Sequence, residues 1–315
     1  MELRPDSLTR RAMRMLLSST GAAGVCAAAL AASTGTVTAG FARTLTPQAT
    51  AHLFPLDARL FVKHYMPTRT GGRYISSMCC TLTYGGGPVL NRPRSFVIFW
   101  HFAGAGDPNG VVPVMHGLFN NIGGSQWLST VTQYYSSPPT VYIGNPFGQG
   151  NFWADNTHPI PAHPTDAQIQ QEAAFGVQHF GFEPGTAYIV VSAHKHDPQG
   201  FVTSGWCAYH GVTNTPSGVI SYTNLPYIPD GGSSCGANLI APPGDEQGAT
   251  EGQTIVAGHE YAGVITDPQP TTGWYSTGGE IGDLCAWINI ANEPFGQDVY
   301  TMQSLYSNLT SGCVQ

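Results

Sequence analysis

Positive charge is scarce in this chain and unevenly placed: beyond Arg94 it offers one lysine, Lys195, and no arginine, while acids continue from Asp107 to Asp298. Binding to nucleic acid needs clustered Lys and Arg to displace counterions, so that class of partner is excluded. Charged residues make up only 10% of the 315, and the formal net charge is −7. After the N-terminal segment there is no apolar run long enough to cross a bilayer. The cysteines include no C-x2-C pair, which weighs against a four-cysteine structural zinc.

What is present begins with an export signal. Arg10, Arg11 and Arg14 precede an uncharged run from Met15 to Ala32 rich in Ala, Leu, Val, Gly and Ser. A cationic stretch followed by an apolar one reads as a signal peptide. Val37 and Ala39 fit a small-residue cleavage site, which places the signal over residues 1–39. Thr9-Arg10-Arg11 also matches a twin-arginine signal, so the twin-arginine and general secretory routes both stay open. The alternative, an uncleaved anchor, fits less well, because the run is Ala/Gly-rich and barely of spanning length. The sequence therefore predicts an extracellular protein with no membrane association after cleavage.

The cysteines agree with export. Of seven, six follow the signal: Cys79, Cys80, Cys207, Cys235, Cys285 and Cys313. An even number in an exported chain favours disulfides, although six cysteines allow 15 pairings. Cys207–Cys235 and Cys285–Cys313 are the favoured pairs, each closing a loop of similar length, with Cys79 and Cys80 adjacent partners or free.

With 39 glycines and 24 prolines the chain is rich in turns. Residues 40–94 read as an irregular leading segment packed on the body, and 95–315 as one globular domain. Strands are expected at Ser95–Trp100, Val141–Gly144 and Thr186–Ser192. Asn121–Tyr135 reads as a loop leading into a helix. Pro164-Thr165-Asp166 caps a helix running to about Phe180. A long loop region follows over Thr213–Gly252, with at most a short strand near Ser217–Tyr222. Gln253–Thr266 is the next helix, stopped by Asp267-Pro268. This order predicts an α+β (mixed α/β) domain of short strands, a few helices and long Gly/Pro-rich loops.

The chemistry-bearing residues concentrate on that last helix. Gly258-His259-Glu260 begins the zinc-peptidase device, in which a histidine holds the metal and the next glutamate takes a proton from water. The usual second histidine, four residues on, is replaced by Gly263. A residue at i+4 lies ~6 Å along the helix on nearly the same line, whereas Asp267 at i+8 lies ~12 Å along. Asp267 can join a shared site only if the chain turns back at Pro268. Downstream, Glu280 and Asp283 stand where zinc peptidases of the thermolysin type place a glutamate ligand and an aspartate that orients a histidine. Other motifs are weaker. Gly232-Ser233-Ser234-Cys235-Gly236 matches G-x-S-x-G, but it lies among turn residues and not on a strand-to-helix elbow. His194 and His196 flank Lys195 with no further ligand spacing nearby.

Taken together, Gly258-His259-Glu260-Tyr261-Ala262, Thr266-Asp267-Pro268, Gly273-Trp274-Tyr275 and Glu280-Ile281-Gly282-Asp283-Leu284-Cys285 resemble the C-terminal signature of the Exordium or phosphate-induced protein family, in particular its bacterial secreted relatives. Phe96–Trp100, Gly123-Gly124-Ser125, Thr132–Tyr135, Cys207-Ala208-Tyr209-His210-Gly211 and Tyr306-Ser307-Asn308 extend the resemblance over roughly residues 95–315. For plant members it implies extracellular, cell-wall-associated proteins linked to growth. The usual pattern has a glutamate four residues after the histidine, where this chain has Gly263. His210 is the substitute the resemblance offers, since the matching motif also carries a histidine after a cysteine.

These readings converge on a zincin-like domain with zinc held by His210, His259 and Glu280. Glu260 is then the general base, Asp283 orients a ligand, and a peptide or protein is the substrate. The competing expectation is a non-catalytic extracellular protein that binds cell-wall polymers or signalling partners.

Overall fold

The computed structural model describes residues 62–71, 81–241 and 246–315. The expected signal over 1–39 and the Cys79/Cys80 pair lie outside them. The architecture rests on one six-stranded mixed sheet and three long helices. The strands are β1 (His64–Pro67), β2 (Ser95–Trp100), β3 (Gly150–Asp155), β4 (Ala187–Ser192), β5 (Trp206–Thr215) and β6 (Gly218–Leu225), and the helices are α1 (Val111–Asn121), α2 (Asp166–Phe180) and α3 (Glu246–Thr266). Across the sheet the order is β1-β5-β6-β4-β2-β3, with β6, β4, β2 and β3 parallel and β5 antiparallel to both of its neighbours, β6 and β1.

β2 (SFVIFW) and β4 (AYIVVS) are buried at every position, as expected of central parallel strands covered on both faces. β6 carries Ser221, Thr223 and Asn224 and is buried from Ile220 to Leu225, inside the sheet. Its polar letters explain why Thr213–Gly252 reads as a loop. In the structure that region holds the end of β5, all of β6, a tight helical turn over Ile228–Cys235 and the start of α3, which begins at Glu246, seven residues before Gln253. The expected strand at Val141–Gly144 shrinks to Val141–Tyr142, paired with Tyr135–Ser136 in an exposed hairpin. α1 and β3 were not anticipated, because Gly and polar residues break their periodicity.

α2 starts as the sequence predicts. The Thr165 hydroxyl accepts from the Gln168 N–H and the Gln168 side chain accepts from the Thr165 N–H, a capping box that satisfies two otherwise orphan donors. α2 covers one sheet face, where Tyr209 and Tyr222 both donate to Asp166 at 2.7 and 2.6 Å. Successive residues of a strand point to opposite faces, so His210, next to Tyr209, faces α3. That helix is buried along nearly its whole length from Thr250 to Thr266, which fits its lack of a polar side. The leading segment, expected to be irregular, supplies β1 at the sheet edge.

Both favoured disulfides are present, Cys207–Cys235 and Cys285–Cys313, with Cα separations of 5.6 and 5.7 Å. The first ties β5 to the turn before α3, and the second ties the segment after Asp283 to the C-terminal hairpin. Among the described residues no helix is long and apolar enough to cross a membrane.

Candidate metal centre

Four pieces of chain bring ionisable side chains together under the sheet: β1, β5, the middle of α3, and the turn that begins at Glu280. Strand pairing sets the first two. His64 lies directly opposite His210, and the rings stack with centroids 6.1 Å apart. His259 and Glu260 come from α3, where Met302, Trp127 and Ile255 belong to the surrounding core. Glu280 and Asp283 come from a tight turn in which the Asp283 carboxylate accepts the Glu280 N–H at 2.8 Å. Gly282 lets this turn approach the helix, since a Cβ there would lie 2.8 Å from His259 Nδ1.

The side chains alternate between imidazole and carboxylate. Glu260 Oε2 is 2.9 Å from His210 Nδ1, and His210 Nε2 is 3.3 Å from Glu280 Oε2. The other Glu280 oxygen is 3.5 Å from His64 Nδ1, which in turn is 3.0 Å from Asp283 Oδ2. Asp283 Oδ1 then lies 3.3 Å from His259 Nε2. His210, His259, Glu260 and Glu280 are each at most 5% exposed. Several polar atoms in this closed space complete no hydrogen bond: His210 Nε2, His259 Nδ1, Glu260 Oε1 and Glu280 Oε1. Such atoms are uncommon in a folded interior and point to a missing partner.

Gly263 explains how His210 reaches the helix. A Cβ at this position would come within 2.6 Å of Glu280 Oε2 and 2.8 Å of His210 Cε1. The space that an i+4 side chain would fill on the His259 helix is thus taken by the imidazole of His210 and the carboxylate of Glu280. The space beside the helix is thus occupied from the neighbouring strand and from the turn at Glu280.

The electrostatics follow from burying this many charges together. Burial opposes charging His64, but Glu280 and Asp283 outweigh it and push its pKa up to about 9. Against the same opposition from burial, Glu280 and Glu260 raise His210 well above its ordinary value, and Asp283 raises His259 above its own. Burial works against the Asp283 carboxylate, yet His259 and His64 hold it well below the usual range. The three carboxylates thus hold the three imidazoles in their charged form, and a cation entering the cluster must displace those protons.

Each residue expected from the sequence has a definite place. His210 and Glu280 meet directly, Glu260 meets His210, and His259 meets Asp283. The ligand atoms that lie within 4.8 Å of one another, however, belong to His64, Glu280 and Asp283. His64 was missed because a lone histidine in an irregular-looking segment carries no spacing signal. Only its pairing with His210 reveals it. Asp267 stays apart: its carboxylate accepts the N–H groups of Thr271, Thr272 and Gly273, and burial with Glu280 nearby pushes its pKa up to about 7. Ser233 and Ser234 lie on the Ile228–Cys235 turn beside a crosslinked Cys235, and His194 is paired to Asp230.

The cluster meets the surface at one side. His64 and Asp283 form part of the wall of a cleft of about 490 Å³, with Arg69, Gly278, Gly279 and Trp287. Comparisons with protein-family models, with curated proteins and with solved structures returned no match to this chain.

Proposed function

We propose that this cluster holds a divalent cation, zinc in the first place, and that the protein is an exported, zincin-like hydrolase of peptide bonds, of the Exordium-like kind its motifs resemble. The observation that carries the reading is the vacancy at Gly263, filled by His210 and Glu280 beside His259-Glu260. The donor types are those zinc takes, imidazole nitrogens and carboxylate oxygens: His210 Nε2 and Glu280 Oε2 stand 3.3 Å apart, and His259 joins the cluster through Asp283, 3.3 Å from its Nε2. Two ligands on one tetrahedral ion with bonds of ~2.0–2.1 Å stand about that far apart. His210, His259 and Glu280 would hold the ion, and His64 with Asp283 would complete or compete for its open side.

When bound, such a cation supplies Lewis acidity that brings the pKa of a water near neutrality. The protein residues provide the rest. Glu260 accepts from His210 Nδ1–H, which would leave Nε2, once its proton is displaced, as the nitrogen that could hold the ion. The second Glu260 oxygen, buried and without a partner, is free to receive a proton. Asp283 and His64 stand on the cleft side, where a substrate carbonyl would enter. The two disulfides brace the site, because Cys207 lies three residues before His210 and Cys285 two after Asp283.

One observation favours the other reading, a non-catalytic extracellular protein that binds wall polymers or signalling partners. Every histidine of the cluster already faces a carboxylate, so the same groups can form a buried ion-pair network that only stabilises the fold. Metal analysis of protein purified without an affinity tag separates the two. Near-stoichiometric zinc that is lost in His259→Ala supports the metal site, and its absence from the wild type supports the network. Glu260→Gln should then keep the zinc and lose peptide hydrolysis. Undiminished turnover in that variant would remove Glu260 as the base.

A further inference from the structure

A second group of ionisable residues lies at the opposite edge of the sheet. β3 ends at Asp155, fully buried; His158 follows in the next turn, and Glu172, 1% exposed, reaches in from α2. With five strand spacings of ~4.8 Å between β1 and β3, this group sits roughly 24 Å across the sheet from His64. It takes no part in the cluster described above.

The three residues are arranged unequally. Asp155 Oδ1 is occupied, accepting from the Thr157 N–H at 2.8 Å and the Thr157 hydroxyl at 2.7 Å. Its Oδ2 is left to face inward and is in close contact with His158 Nδ1. Both oxygens of Glu172 are buried against the Asp155 carboxylate, and among the described residues no N–H or O–H of another side chain or of the backbone reaches either. One donor atom from each of the three residues lies within 4.8 Å of the other two. The His158 ring is held flat against Phe175, with centroids 3.6 Å apart and planes within 3°. Its side chain is 35% exposed, so the group has one route to solvent.

Two carboxylates brought this close in a buried space cannot both stay ionised without a counter-charge. The mid-helix glutamate of α2 is thus directed into the core with nothing in the protein to pair both of its oxygens. A cation would satisfy Glu172 and Asp155 together, and the imidazole selects a transition metal over calcium or magnesium, which take oxygen ligands.

We propose that Asp155, His158 and Glu172 form a second cation site for a divalent transition metal, Zn²⁺ or a close analogue, that clamps the end of β3 to α2. The site is structural, since two of its three ligands are closed off from solvent. Equilibrium dialysis of the mature protein against Zn²⁺, followed by metal counting, tests it. Glu172→Gln should lose one molar equivalent relative to wild type, and so should His158→Phe, which keeps the ring stack on Phe175. The loss should add to that caused by His259→Ala, so the two sites are counted separately and either can fail alone. The proposal is overturned if Glu172→Gln or His158→Phe binds as many equivalents as wild type. A Glu172→Gln variant that also melts higher would show that the pocket holds a protonated carboxyl, which glutamine mimics without a metal.

Discussion

Replacing Gly263 by alanine tests the geometry of the candidate site most directly. The position is helical and fully surrounded, and the added methyl would sit 2.6 Å from Glu280 Oε2 and 2.8 Å from His210 Cε1. Ordinary contacts are about 3.5 Å or longer, so the carboxylate must retreat by roughly 1 Å. Two effects oppose each other. Alanine favours the helix by ~1 kcal/mol over glycine, while overpacking a tight interior costs about 1–3 kcal/mol. The expected net change is a loss of about 0–2 kcal/mol, small enough for the fold to persist. Zinc binding should suffer far more, because a site tolerates errors of only about 0.2 Å in its ligand distances. Displacing one ligand and its support should lower affinity at least 10-fold to 100-fold. Urea unfolding measures the first quantity, and competition with a chromophoric chelator the second. A Gly263→Ala protein that is more stable by ~1 kcal/mol and binds zinc as the wild type does would refute the argument, since it would mean the space beside the helix is not filled as described.

A complementary prediction restores the absent i+4 ligand. His210→Ala should lose zinc, and the double variant Gly263→His/His210→Ala should regain part of it by placing an imidazole in the same space from the helix; no recovery at any zinc concentration would count against the substitution of one ligand by the other. Zinc affinity should also depend on pH in a definite direction. Without metal, His64 at the open side of the site keeps its proton up to about pH 9, a charge that an entering cation must displace. Below that pH each ion therefore displaces at least one proton, and the dissociation constant should rise about tenfold per unit fall in pH; a flat profile in calorimetric titrations would contradict it. Finally, the Cys207–Cys235 crosslink closes a separation of 28 residues, for which chain entropy gives about 3.6 kcal/mol. Cys207→Ser/Cys235→Ser should lose roughly that much in denaturant unfolding, and a loss below ~1 kcal/mol would show that the turn before α3 is held by packing alone.

What the sequence determined by itself is the local grammar: the buried strands Ser95–Trp100 and Ala187–Ser192, the capping box that opens α2 at Thr165, the end of α3 before Asp267-Pro268, and the two disulfide pairs. Each is written in residues close together in the chain or, for the cysteines, in a small set of combinations. It also marked His259, Glu260, Glu280 and Asp283 as a group, since helix spacing and the turn that follows lie within one stretch of chain. Tertiary structure alone decided what stands beside them. His64 faces His210 only because β1 pairs in one register with β5, and Glu172 meets Asp155 only because α2 packs across β4 and β2, next to β3 in the sheet. β6 is legible only as a short strand near Ser217–Tyr222, because the serine, threonine and asparagine along it are buried by neighbours on both sides, which no local rule can supply. Contacts between distant segments depend on register and packing, and those are properties of the assembled sheet.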